Sequence, residues 1–353
     1  MAKTEGYIAV IPGAEDTLAS IYENATETDN VLTDCWGALE FAIVNDLPDI
    51  LSGGSNKEQK VRTFLAFLFY GFNIVIQAGL LWFIYKLLMM PAFLDAQNLY
   101  RLFHENAFDA GEFNSTKFEE FPERKMEQLC NIALSKTPIT QVLLFLWIST
   151  TLNEFMTSSG RFMLICTFPS LPAGCHTTAM VKDVRSEGGP TEFWCICLNA
   201  KTKFFLNFFI HLPKMFIALV LAFVGSFWLM ASESFGDLIL NSLALAFVTS
   251  VDELLASTFF PNFFGSECVD PFMYKFQKHT MRDTDEGAQA WRIRYYCWSF
   301  VKFFAALGVV QGMMLLQQVV PGYEFDVNMA CKEFLAEQEP WCSPFEEGCF
   351  PVS

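Results

Sequence analysis

Basic residues are scarce in this chain: 23 Lys and Arg face 39 Asp and Glu across 353 residues, a formal charge of −16. Nowhere do Lys and Arg cluster as a phosphate backbone requires, which excludes nucleic acid as a partner. Histidine is rarer, at 4 residues, and the sequence has no His-Glu-x-x-His, phosphate-cradling glycine loop, Gly-x-Ser-x-Gly or nucleotide fingerprint. Neither enzyme activity nor a bound cofactor is expected. A secretory signal is missing too. The first 60 residues hold 11 acids and only the short apolar run Ile8 to Ile11, so the first membrane helix is expected to double as the targeting signal. Eleven cysteines are too few for a disulfide-dense scaffold.

Apolar residues are abundant instead, at 52% of the chain with 39 Phe, and they gather into nearly uncharged blocks between acidic connectors. That distribution predicts an all-helical integral membrane bundle, since a crossing needs about 20 consecutive apolar residues at ~1.5 Å each. Five spans are expected, near 63–85, 137–157, 211–232, 238–258 and 303–323. An acidic segment over 1–62 precedes them and an acidic, cysteine-containing tail over 324–353 follows. Within the first segment, the apolar patch Cys35 to Val44, after Thr33 and Asp34 as capping residues, predicts a short helix resting on the bundle or membrane surface. Gly308 and Gly312 form a Gly-x-x-x-Gly pair, which either admits another helix closely or arises by chance.

Five crossings place the termini on opposite faces. With Lys214 and Lys302 set aside as part of the spans, 14 basic residues fall on the N-terminal side and 7 on the other, so the N-terminus is expected to be cytoplasmic. Cys130, Cys331, Cys342 and Cys349 then face the oxidising side as disulfide candidates, and Asn114 heads a glycosylation sequon there. Against this, Cys166, Cys175, Cys195 and Cys197 in the 158–203 connector also suit an oxidising compartment. A glycan on Asn24 instead of Asn114 would invert the topology. Cys175 and His176 with Cys195 and Cys197 have the residue types for zinc, but the spacing matches no common finger, and no metal site is assigned.

The informative polar residues lie in the hairpin of the third and fourth spans. Lys214 is about 20 residues before the Ser234 turn and Asp252 about 18 after it, so both lie ~27–30 Å along their helices from the turn. Charge in hydrocarbon costs ~2.5–3.5 kcal/mol per residue, which favours a pair that neutralises itself. Glu154 ends the second span and Lys302 opens the fifth. Together with His211 and Glu253 they predict an inner-leaflet ionic cluster, with Asn241, Ser242, Thr249, Asp252 and Glu253 as a polar stripe along the fourth helix. Such a stripe can line a cation or proton path. The plainer reading is that Lys214 snorkels to the headgroups, Asp252 and Glu253 sit at the interface, and Asn241 bonds a neighbouring helix.

The hairpin string Leu212-Pro213-Lys214, then Gly225, then Ser234 to Phe247 and Asp252-Glu253-Leu254-Leu255, resembles a group of polytopic membrane proteins from unicellular algae and related protists. About 45 residues carry the resemblance, with a fainter echo at Leu129-Cys130 and from Leu146 to Glu154. The group has no assigned activity, so the resemblance implies a multi-pass fold and no function. Its members usually carry glutamate where this chain has Ala246, which counts against a ring of carboxylates along this helix.

Two functions are carried forward. The first is movement of ions or small solutes across a bilayer, with Lys214 and the Asp252/Glu253 pair as gate or coupling site. The second is a non-transporting scaffold or sensor subunit that binds a membrane partner, or a second copy, through its connectors and tail. Which membrane holds the chain is not encoded in these features.

Overall fold

The computed structural model describes residues 25–30, 34–109, 112–113, 117, 121–132, 137–171, 179–185, 191–232, 235–277, 285–316, 319–320, 327 and 331. Asn24, Asn114, Cys175, His176, Cys342 and Cys349 lie outside them. The chain is mostly helical, with four helices long and apolar enough to cross a membrane: Lys57–Ala107, Ile139–Thr167, Ala200–Met230 and Tyr296–Leu316. A bent pair, Gly236–Thr249 and Val251–Phe259 at 53°, makes a fifth if it counts as one span.

In chain order, β1 (Ala25–Asn30) leads to α1 (Cys35–Phe41), a π turn and α2 (Leu47–Ser52), which ends on Gly53 in the left-handed conformation at φ 79°. Next come α3 (Lys57–Phe83) and α4 (Met90–Ala107), joined through a π segment, the short β2–β3 pair (Phe108–Asp109, Glu112–Phe113) and α5 (Glu123–Asn131). The helix α6 (Thr137–Thr167) precedes β4 (Ala179–Arg185) and β5 (Thr191–Leu198). After α7 (Ala200–Leu206), a π segment leads into α8 (Leu212–Met230), then α9 (Phe235–Thr249), α10 (Val251–Phe259), β6 (Phe272–Gln277) and α11 (Asp285–Leu316).

The all-helical expectation is corrected by a four-stranded sheet in the order β1-β6-β5-β4. The β1–β6 and β4–β5 pairs are antiparallel and β5–β6 is parallel. Cys195, Ile196, Cys197 and Leu198 of β5 are all buried, so this strand lacks the alternation that marks a half-exposed one. Helix bounds move as well. The second helix runs ten residues past the expected end because it carries Arg161 onward among partners, and the apolar window of the last starts at Tyr296, not Phe303.

Two compact units can be distinguished. The first comprises residues 1–80, 151–219 and 247–303 and contains the sheet. Its core packs Trp36, Phe41, Ile165, Leu198, Phe272 and Tyr274, with Phe41 meeting Phe193, Phe264 and Phe272 edge to face. Every residue of α1 is buried here, so the helix is not surface-lying as expected. A single charge, Glu40, among apolar side chains lets it be enclosed once that charge is matched.

The second unit comprises residues 81–150, 220–246 and 304–353. Cys130 of α5 bonds Cys331 with an S–S distance of 2.06 Å, joining positions 201 residues apart. Phe103 packs edge to face against Phe108 and Phe121. Gly225 lies under the Trp147 indole so closely that a Cβ there would sit 2.7 Å from the ring. Gly308 and Gly312 have open space around them.

Candidate functional site

The site is built around Lys214, at the start of α8. Pro213 beside it has no N–H and cannot bond the carbonyl four residues earlier, that of Phe209. The chain answers with the π segment Asn207–His211, closed by the Leu212 N–H on the Asn207 carbonyl, and the Tyr70 hydroxyl donates to the freed Phe209 oxygen. π segments of this kind recur at functional sites because they re-aim a side chain. Here the segment ends on His211, three residues before Lys214.

Three carboxylates surround the Lys214 ammonium: Asp34 Oδ2 at 2.6 Å, Asp252 Oδ2 at 3.4 Å and Glu154 Oε2 at 3.8 Å. The Trp36 ring lies 5.9 Å away, within cation–π range. Asp34 does two jobs. Its Oδ1 accepts from the Gly37 N–H at 2.7 Å, capping α1, while Oδ2 holds Lys214. Asp252 enters from the first turn of α10, and its backbone carbonyl accepts from Cys35 Sγ at 3.3 Å. Burial, and then the negative charges of Asp34 and Asp252, push the Cys35 thiol up to about 12. The centre carries three acids against one lysine, an excess of negative charge.

A second group adjoins it. His211 Nε2 is 3.9 Å from Glu40 Oε1, and both side chains are at most 5% exposed. Arg161 of α6 pairs with Asp29 at 3.4 Å and lies 6.0 Å from the Tyr274 ring. Burial raises the Asp29 carboxyl; Arg161 pulls it back and Glu40 pushes it further up. Complete burial first, then the charge of Glu40, hold the Tyr274 hydroxyl well above its ordinary value.

A third group is saturated. Arg62 donates from Nε to Asp46 Oδ2 at 2.7 Å and from Nη2 to Oδ1 at 2.5 Å, a bidentate fork, and from Nη1 to Cys268 Sγ at 3.1 Å. Its guanidinium stacks on Phe41 at 5.2 Å. Burial raises the Asp46 carboxyl against the opposing pull of Arg62.

Of the sequence-predicted cluster, Lys214, Asp252 and Glu154 meet. His211 faces Glu40 instead. Glu253 is exposed, and Lys302 is half-buried and pairs with none of these acids. A 53° bend at Ser250 separates α9 from α10, so the helical period along which the stripe was expected is interrupted between Thr249 and Asp252. Asn241 donates to Ser232 Oγ at 2.9 Å within the second unit, and Thr249 lies half-buried at the bend. Sequence reasoning missed Asp34 as a ligand of Lys214, and missed Glu40, Arg161, Asp29 and the Arg62–Asp46 fork altogether. A signal existed for two of them: Glu40 and Arg161 are lone charges within apolar stretches.

Among the described residues Cys35, Cys166, Cys195, Cys197, Cys268 and Cys297 form no disulfide. Among the described residues no three His, Cys, Asp or Glu side chains are placed to hold a metal. The chain matches no protein-family model, no curated protein and no solved structure.

Proposed function

We propose that this chain is a multi-pass membrane protein that moves a cation or small solute, with the Lys214 centre as its coupling site. One observation carries the reading: a lysine enclosed by three carboxylates, with Lys214 and Glu154 on helices apolar enough to cross a bilayer, Asp252 in the bent pair and Asp34 at the cap of α1. Buried ion pairs seldom add net stability, because desolvation offsets their attraction. Charge kept among such helices most often marks an ion path. Three acids around one cation leave a surplus that a proton or metal cation can neutralise, and its arrival loosens the hold on Lys214.

The sheet supports five crossings. Its strands β1, β5 and β6 come from the segments before the first candidate span, between the second and third, and between the bent pair and the last. Segments that pair in one sheet share one side of a membrane, which favours a return after α9–α10 and so a bent crossing over a re-entrant loop. The thiols support the orientation. Cys35, Cys195, Cys197 and Cys268 form no disulfide in the segments tied to this sheet, while Cys130 and Cys331, in the alternate segments, are bonded. Disulfides persist in oxidising compartments, which favours a cytoplasmic N-terminal side.

The test is ion flux in liposomes holding the purified chain. Lys214→Met and Asp252→Asn are expected to reduce flux to background, and Glu253→Gln to leave it unchanged because Glu253 is exposed. Unchanged flux in all three ends the coupling role. A second reading, a scaffold or sensor subunit, is favoured by one feature: Asp34 both caps α1 and holds Lys214, as a purely architectural staple would. Wild-type liposomes that pass no ion select it.

A further inference from the structure

Four buried polar atoms without a hydrogen-bond partner belong to residues that line one small cavity: Trp36 Nε1, Glu40 Oε1, Ser158 Oγ and His211 Nε2; Arg161 lines it too, with its Nη1 ion-paired to Asp29 at 3.4 Å. Their residues are at most 7% exposed, so bulk water does not satisfy them. Leaving such atoms buried without a partner is costly, and four at one space point to a ligand. The cavity is about the size that one water molecule needs.

The chemistry of the lining selects the occupant. The N–H groups of Trp36 and Arg161 can only donate, which disfavours a cation. A chloride is larger than a water and would face the Glu40 carboxylate. Water fits the valences: it accepts from Trp36 and Ser158 and donates to Glu40 Oε1 and His211 Nε2. The 3.9 Å between Glu40 and His211 is too long for a direct hydrogen bond and suits one shared partner.

We infer that this cavity binds a single water molecule that carries protons between Glu40 and His211. A protonated Glu40 gives its proton to the water oxygen as the water passes another of its own to His211 Nε2. The products are a carboxylate, an imidazolium and an intact water, with no net change of charge or atoms. Around the pair stand Asp34 and Lys214, Arg161 with Asp29, and Tyr274 and Cys195 beside Glu40. The inference rests on the coupling-site reading and narrows it: the ion is a proton.

The test is ¹⁵N NMR of the full chain in lipid nanodiscs, labelled at its 4 histidines, with His211 assigned by its loss in His211→Gln. Titrated over about pH 5 to 9, Glu40→Gln is expected to lower the His211 midpoint by about one pH unit, a tenfold loss of proton affinity. In a Ser158→Val background, whose methyl groups fill the cavity, the same change is expected to lower it by less than about half as much. Ser158→Thr replaces Ser158→Val if circular dichroism shows the latter unfolded. Equal shifts in both backgrounds mean direct attraction without water and overturn the inference, as does no shift in either. Water-dependent coupling in a chain that passes no ions keeps the site and rejects the transport reading.

Discussion

The two compact units spend their polar residues differently. In the first, Asp34, Glu154, Asp252, Glu40 and Arg161 gather with Lys214 and His211, Arg161 reaching a half-exposed Asp29, and the described cysteines form no disulfide. In the second, the described residues are held by a disulfide, aromatic contacts and neutral hydrogen bonds such as that of Asn241 to Ser232. Covalent and apolar contacts stabilise without leaving titratable groups behind. Ionic contacts cost desolvation and leave groups that can change charge. The first unit is therefore where the proposed coupling site can be tested.

Lys214→Met should break this contrast most. It leaves Asp34, Asp252 and Glu154 without their shared cation, and loss of one partner from a buried pair costs about 3–5 kcal/mol. Chemical unfolding in detergent should report it, with Lys214→Arg recovering a large part. Adding Asp252→Asn to Lys214→Met should restore stability instead of lowering it further, since it removes an orphaned acid. A further fall would mean that the acids act as plain packing.

Cys130→Ser with Cys331→Ser should lower stability by about 2–5 kcal/mol. Non-reducing gels after trypsin cleavage should show the wild-type bridge directly. If reduction changes ion flux as strongly as Lys214→Met, the functional division between the units is lost. Gly225→Ala forces a Cβ to within 2.7 Å of the enclosed Trp147 ring, an overpacking cost of about 1–3 kcal/mol visible as a lower melting temperature. Asn241→Ala should cost only about 0.6 kcal/mol, the scale of one hydrogen bond between apolar helices.

The smallest effect is a rate. With its thiol raised to about 12, Cys35 remains protonated throughout the neutral range, so the reactive thiolate does not form. Maleimide at about pH 7 should leave Cys35 unlabelled until the chain is denatured, while exposed Cys297 reacts in the native state. Native labelling of Cys35 would show that α1 opens readily.

Helix existence was legible because a run such as Thr63 to Tyr85 leaves little choice of structure. The depth match of Lys214 and Asp252 was legible because helical rise converts sequence distance into length. Both failed where the chain departs from ideal helix: the bend at Ser250 interrupted the period expected from Asn241 to Glu253. The sheet was hidden for other reasons. Its β1 strand, Ala-Thr-Glu-Thr-Asp-Asn, has neither alternation nor β-branched aliphatic residues, and its partner β6 lies more than 240 residues away. Asp34 could be recognised as a cap, since capping is local. That its second oxygen holds Lys214, 180 residues on, could not.

Run length and charge distribution alone determined that this chain builds long apolar helices joined by acidic connectors, because those properties are read within one segment at a time. Only the tertiary structure decided which connectors pair into one sheet, which cysteines bond, and that α1 is buried with three carboxylates around a single lysine. Those outcomes depend on contacts between residues far apart in sequence, and a buried charge is defined by what encloses it.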